Sequence, residues 1–298
     1  MKNKGLWFAF GAYFIWGLFP IYWKLLKNVS ALELIGHRII WSFVMLAGVI
    51  TLTAQWRRLR TVAFNGRVLR IYSLAAVLIG ANWLMYVWAV NAGFIVETSL
   101  GYFINPLLSV LLGVIIFREK LRLTQWIPVG LAALGVGYLT FVYGRLPWIA
   151  LSLAFTFGFY GLVKKLAPLG SLYGLTLETG ILFLPALGYL LFLEIDSSAA
   201  FLRTGLTADL LMIGAGLVTT VPLLMFASAA QRIPLSMIGI MQYFAPTLQF
   251  LIGVLVYHEP FSQAQFVGFA IVWVALIIFW VDGYAASRRA RLASAPLS

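Results

Sequence analysis

The stretch "NPLLSVLLGVIIFREK" at residues 105–120 returns, altered, as "APTLQFLIGVLVYHEP" at residues 245–260. The two align without a gap at an offset of 140 residues, pairing Pro106 with Pro246, Leu108 with Leu248, Leu111 with Leu251, Gly113 with Gly253, Val114 with Val254 and Glu119 with Glu259. One copy ends among positive charges, Arg118, Lys120 and Arg122, where the other has His258, Pro260 and Ser262. The repetition extends outward. "LMYVWA" at 84–89 resembles "LMFASA" at 224–229, and "FIWGLFPIYWK" at 14–24 resembles "FTFGFYGLVKK" at 155–165, now at an offset of 141. Chance likeness between Leu-rich segments is the competing reading, but apolar composition does not favour the aligned Pro, Gly and Glu.

The 298 residues are 62% hydrophobic and 10% charged, with a mean hydropathy of +0.97. Such a chain cannot hide its apolar side chains in one soluble core of ordinary surface-to-volume ratio, so it requires a bilayer as solvent. A spanning helix needs roughly 20 apolar residues at about 1.5 Å each. Stretches of that kind occur at about 5–25, 32–54, 69–91, 95–117, 124–142, 147–164, 172–193, 208–229, 235–257 and 263–284. They are apolar on every face, unlike the alternating strands of a barrel, so only helices satisfy the backbone in lipid. The expected fold is an all-α polytopic membrane protein of ten transmembrane helices, arranged as two five-helix repeats at 1–142 and 147–284 with a basic tail at 285–298. The first segment is bulky, with Trp7, Phe8, Tyr13 and Trp16, and lacks a small-x-small cleavage site, so it reads as an uncleaved helix rather than a secretory signal. The chain has no cysteine, which excludes a disulfide framework, a thiol nucleophile and a thiolate metal site.

The net charge of +12 invites comparison with nucleic-acid binders, but its distribution is topological. With both termini cytoplasmic, sixteen of the 21 Lys and Arg residues fall on one side, among them Lys2, Lys4, Arg57 to Arg70, Arg118, Lys164, Lys165, Arg232 and the tail. Four fall on the other, Lys24, Lys27, Arg145 and Arg203, and Arg38 falls within a span. This is the positive-inside pattern. An offset that carries five helices, an odd number, makes the second copy of any helix cross in the opposite direction. "FREKLR" then ends inside and "YHEPFS" outside, which accounts for the unequal charge of the two copies. Inverted repeats put a binding site near the midplane between the halves, and rocking of the halves exposes it alternately, so the physical default is a secondary transporter.

The motifs "AYFIWGLFPIYWK" (12–24), "HRIIWSF" (37–43), "NWLMYVWAVN" (82–91), "ETSLGYFINPL" (97–107), "FREKL" (117–121) and "QYFAPTLQFLIGV" (242–254) together resemble the RarD subfamily of EamA-type transporters, in the drug/metabolite transporter superfamily. The likeness covers nearly the whole chain, with the motifs in order. It implies ten helices in two inverted repeats, a bacterial inner-membrane location and the export of a metabolite or drug. It implies no particular substrate, since RarD-like members are mostly named by association with chloramphenicol susceptibility.

Ionisable groups within a membrane are costly and are functional candidates by default. Away from helix ends these are His37 and Arg38 in the second span and Glu178 in the seventh. The offset of 141 sets His37 opposite Glu178 and Arg38 opposite Thr179, each roughly 9 Å inside its helix entrance. They are expected to face a central cavity; the alternative is a bond from His37 or Arg38 to a nearby carbonyl, and a local pairing of Glu178 with a lysine. A proton-coupled mechanism would select Glu178 first and His37 second. Glu97 reads equally as a helix cap or a cavity group. Glu119 and Glu259 read as interfacial structural groups.

Trp16, Asn82, Trp83, Tyr86, Asn91, Tyr102, Asn105, Gln242 and Tyr243 add hydrogen-bonding groups and flat apolar surface to the spans. A cavity lined in this way suits a small amphipathic, often aromatic or amino-acid-like, molecule. Any single aromatic is more simply explained by packing or by the interfacial belt. Pro20, Pro106, Pro222 and Pro246 are candidate helix bends, since each removes a backbone donor. Glycines such as Gly80, Gly101 and Gly239 read as close helix contacts.

An intramembrane enzyme would need a catalytic constellation, yet there are two histidines, no H-E-x-x-H and no pair of membrane aspartates. No Walker motif is present, and no metal or cofactor is expected. The partners are a small-molecule substrate and the lipid bilayer, not nucleic acid; oligomeric state is not encoded legibly. The alternatives are a carrier of phosphorylated or nucleotide-linked anions, motivated by Arg38, Lys24 and Lys165, and a non-transport assembly or sensor protein.

Overall fold

The computed structural model describes residues 2–63, 65–91, 95–143 and 148–258, with parts of 262–282. Every regular element among them is helical: α1 (Lys2–Gly17), α2 (Phe19–Lys24), α3 (Ala31–Leu52), α4 (Trp56–Ala63), α5 (Gly66–Asn91), α6 (Ile95–Phe117), α7 (Leu123–Tyr143), α8 (Trp148–Leu166), α9 (Ser171–Ile195), α10 (Leu206–Ala230), α11 (Leu235–Gln242) and α12 (Phe244–Leu255). Among the described residues six stretches are long and apolar enough to cross a bilayer: Lys4–Lys24, Ala31–Leu52, Gly66–Tyr86, Trp148–Leu166, Ser171–Ile195 and Leu206–Ala230. Large apolar side chains such as Leu52, Phe141, Leu184 and Ile195 are exposed on the outer faces, as a lipid solvent requires. The chain is a multi-pass helical membrane protein.

Two expected spans are broken. Leu18 separates α1 from α2, and Pro20 falls in the first turn of α2, where its missing N–H costs nothing. Tyr243 separates α11 from α12, three residues before Pro246. Pro106 and Pro222 lie inside α6 and α10, which continue through them. The segment after the second span, outside every expected span, forms α4, whose Leu59 and Ala63 are buried while Arg57, Arg58 and Arg60 face outward. Its periodicity is that of a surface helix.

Glycine permits two of the closest approaches. A Cβ on Gly216 of α10 would stand 2.5 Å from Trp41 Cβ of α3, and Ser42 Oγ donates across this seam to the Gly216 carbonyl at 3.2 Å. A Cβ on Gly239 of α11 would stand 2.5 Å from the Pro106 carbonyl oxygen of α6. The loops gather at two ends. At one, rich in Lys and Arg, Lys165 Nζ donates to the Ile233 carbonyl at 2.8 Å, Gln231 to the Leu169 carbonyl at 2.8 Å, and Tyr173 to Gln55. At the other, Tyr22 donates to the Leu211 carbonyl, and Glu33 accepts from the backbone of Ala200 at 2.7 Å and Phe201 at 3.1 Å. Ser30 and Glu33 have the spacing of a reciprocal capping box, and Ser30 does cap α3 through the Glu33 N–H, but the Glu33 carboxylate is drawn to this loop.

Candidate functional site

Arg38 lies on α3 in the midst of the bundle. Its Nε donates to Thr219 Oγ1 of α10 at 2.9 Å. The guanidinium carbon is 4.6 Å from the ring centroid of Trp83 on α5 and 5.0 Å from that of Trp23 on α2. Tyr102 of α6 and Tyr86 of α5 are within electrostatic reach of the same charge, their rings 5.8 Å apart. Trp83 and Tyr86 are three residues apart and so share one face of α5. Five helices thus meet around one cation. Desolvated cation–π contacts, about 2 kcal/mol each, offset part of the cost of holding a guanidinium away from water. Among the described residues no carboxylate stands within ion-pair distance of it.

The other ionisable candidates lie elsewhere and have partners. Glu178 Oε1 accepts from Lys164 Nζ at 2.6 Å and Oε2 from Tyr160 at 3.0 Å, with both charged side chains 1% exposed. Lys164 also lies over the rings of Tyr72 and Tyr160, and Tyr72 exchanges hydrogen bonds with the backbone of Leu169. This cluster ties α5, α8 and α9 together beside the basic end. His37 Nδ1 accepts from Trp41 Nε1 at 3.3 Å, its other nitrogen is 4.0 Å from Glu33, and its ring packs on Phe201 at 4.7 Å. His37 therefore faces the opposite end, one residue from Arg38 but turned away from it.

The amides and remaining aromatics divide similarly. Asn82 donates to the Leu153 carbonyl at 3.0 Å and to Thr156 at 2.8 Å, joining α5 to α8. Trp16 packs on Phe157 and Phe226, and its carbonyl accepts from Gln249. Tyr243 donates to the Phe103 carbonyl at 3.2 Å, one turn before Pro106. Asn105 and Gln242 are buried on the facing helices α6 and α11 with their carbonyl oxygens unpartnered. An apolar cleft lies between α6, α7 and α11, lined by Pro106, Leu107, Pro128, Ile240 and Tyr243 among others. Asn91 ends α5 and Glu97 lies in α6, but their side chains, like Glu259, fall outside the described residues.

Glu119 has a defined task. Helix α11 begins at Leu235, and Pro234 before it supplies no side-chain cap, so its first N–H groups need another acceptor. The Glu119 carboxylate, from the end of α6, accepts from Leu235 N at 2.8 Å, Ser236 N at 3.0 Å and Ser236 Oγ at 2.6 Å, with Lys165 3.9 Å away.

Residues 3–141 match the EamA-like transporter family. Over 97% of its length the chain is 45% identical to Protein RarD of Streptomyces exfoliatus, covering 92% of that protein. It is 48% identical to the uncharacterized transporter YojE of Bacillus subtilis (strain 168), covering 93% of each chain. This chain belongs to the EamA-like transporter family, among its RarD-type members. A solved structure titled "Crystal structure of protein" has the same fold at a TM-score of 0.68 and 18% identity, over 93% of this chain and 97% of that one. The RarD-type chain is thus a membrane transporter of the drug/metabolite transporter superfamily.

Sequence reasoning passed over Trp23 and Thr219, two of the groups that hold Arg38. Trp23 sits inside the quoted motif "AYFIWGLFPIYWK", but its position beyond Pro20 concealed that a short helix aims it inward. Thr219 is three residues before Pro222 and beside Thr220 in a mostly apolar span of this RarD-type chain, and nothing in the local pattern pairs it with Arg38.

Proposed function

We propose that this RarD-type protein is a secondary transporter that exports a small amphipathic metabolite or drug, aromatic or amino-acid-like, by alternating access. The observation that carries the reading is the Arg38 cluster: aromatic groups from α2, α5 and α6 surround a cation whose one hydrogen bond, to Thr219, crosses into the other half of the chain. Rocking of the halves would alter that cluster first.

The helix contacts support two inverted five-helix repeats at 1–142 and 147–284. Helix α1 packs on α10 as α8 packs on α5, α6 packs on α8 as α12 packs on α1, and α3 faces α9 as α6 faces α11. In this reading the ten spans lie in a bacterial inner membrane with both termini cytoplasmic. The Glu119 contact then closes the cytoplasmic side while the Arg38 cluster lies nearer the periplasm. Proton exchange would occur at Glu178 first and His37 second, and protonating Glu178 would free Lys164 and loosen α8 from α9.

A carrier of phosphorylated anions is the weaker reading, because the cations it needs are dispersed: Lys24 lies 3.8 Å over the Tyr257 ring and Lys165 is bonded to Ile233 at the basic end. The test is purified protein in liposomes with amino acids, aromatic metabolites, phenicol drugs and sugar phosphates, with and without a pH gradient. Saturable flux of an amphipathic class is the expected result. Preference for sugar phosphates would favour the weaker reading, and protein that binds and moves nothing would favour an assembly or sensor role.

A further inference from the structure

We infer that the cargo carries a single carboxylate, which docks on the two terminal nitrogens of Arg38 while its apolar body lies against Trp83, Tyr86 and Tyr102. The inference rests on the Arg38 cluster being the transport site.

Three observations lead to it. The first is the state of the guanidinium. Among the described residues Nε alone has a protein acceptor, Thr219, and no hydrogen bond joins Nη1 or Nη2 to the protein. Those two nitrogens form the planar fork that matches a carboxylate with two parallel N–H···O bonds. The second is the contrast with other buried charges among the described residues. Lys164 is matched by Glu178, Glu33 by the Ala200 and Phe201 amides, and Glu119 by the start of α11. Arg38 alone of these has aromatic faces where a counter-ion would stand. The rings of Trp23 and Trp83 lie against the guanidinium carbon where a carboxylate would otherwise stand, which leaves the terminal N–H groups for an anion from outside the protein.

The third observation sets the charge of the ligand. One fixed cation neutralises a monoanion; a phosphomonoester would bring a second negative charge into a low-dielectric site, while Lys24 is taken up over the Tyr257 ring and Lys165 by the Ile233 carbonyl at the basic end. The cage also suits the remainder of the molecule. The rings of Tyr86 and Tyr102 are tilted by 60° with their centroids 5.8 Å apart, and Asn105, one turn beyond Tyr102 on α6, has an unpartnered carbonyl oxygen able to accept from an amine or hydroxyl.

The test uses the full chain in detergent and in liposomes, with matched probes: 3-phenylpropionate and L-phenylalanine against 3-phenylpropionamide, phenethylamine and phenyl phosphate. Binding is read by isothermal titration calorimetry and transport by counterflow. The acids are expected to bind at least tenfold more tightly than the amide and the amine. Arg38→Gln is expected to abolish that preference, while Arg38→Lys, which keeps the charge and loses the fork, retains part of it. Should Arg38→Gln fail to fold, the acid–amide comparison on the unaltered protein still decides. Equal binding of acid and amide, preference for phenyl phosphate, or transport of phenicol drugs without recognition of any acid would each overturn the inference and leave the transporter reading standing. Protein that neither binds nor moves any compound would overturn both.

Discussion

Glu178 and Lys164 share a 2.6 Å bond in surroundings that admit almost no solvent. Removing one partner leaves the other charge buried without compensation, whereas removing both leaves an apolar space. Glu178→Gln is therefore expected to destabilise the folded protein by about 3–5 kcal/mol, and the double replacement Lys164→Met with Glu178→Leu to recover most of that loss. Thermal unfolding in detergent measures both; a single variant as stable as the parent would refute the account. The double variant also tests proton exchange, since a transporter that still accumulates cargo under a pH gradient without Glu178 couples elsewhere or not at all. Sequence reading singled out Glu178 because an ionisable group in an apolar span is conspicuous. It could not decide between a cavity and a lysine partner, because that depends on the rotation of α8 about its axis, which a uniformly apolar helix does not encode. Arg38 and Trp83 were legible for the same reason as Glu178, and Trp23 and Thr219 were not, because their roles arise only when α2 and α10 meet α3.

Among the elements, the close contacts at glycine can be distinguished from glycines that face open space. A Cβ on Gly239 meets the Pro106 carbonyl at 2.5 Å, and backbone cannot step aside as a side chain would. A Cβ on Gly137 in α7 meets nothing within 4 Å. Gly239→Ala is expected to destabilise by about 1–3 kcal/mol through overpacking, and Gly137→Ala to be neutral or to stabilise by up to about 1 kcal/mol through helix propensity. The two melting temperatures, measured side by side, check the contrast. From 2 to 255 the helices fall within a few residues of the expected spans, because length and hydropathy are what a bilayer constrains most. The breaks at Leu18 and Tyr243 and the helix α4 escaped that logic. A break inside an apolar run leaves hydropathy unchanged, and α4 is too polar to register as a span.

For the whole molecule, the sixteen-to-four division of Lys and Arg gives an orientation that can be checked directly. The chain has no cysteine, so an introduced thiol is unique. Arg60 and Ser198 are both exposed, at opposite ends of the bundle. Arg60→Cys is expected to react with a membrane-impermeant maleimide only in inverted vesicles, and Ser198→Cys only in intact cells. The reverse pattern would invert the topology and with it the side that Glu119 closes.

The solitary charge of Arg38 has an electrical consequence. A guanidinium fixed in the protein and unmatched by a protein carboxylate does not travel with the cargo, so each carboxylate that crosses moves one negative charge through the membrane field. A potential of about 100 mV, negative inside, is worth about 2.3 kcal/mol for that charge and would sustain roughly a fiftyfold outward gradient without any proton. Efflux of 3-phenylpropionate from proteoliposomes is therefore expected to quicken when a potassium diffusion potential makes the lumen negative, and to slow when the polarity is reversed. Flux indifferent to voltage would mean that a compensating ion moves with the cargo in every cycle.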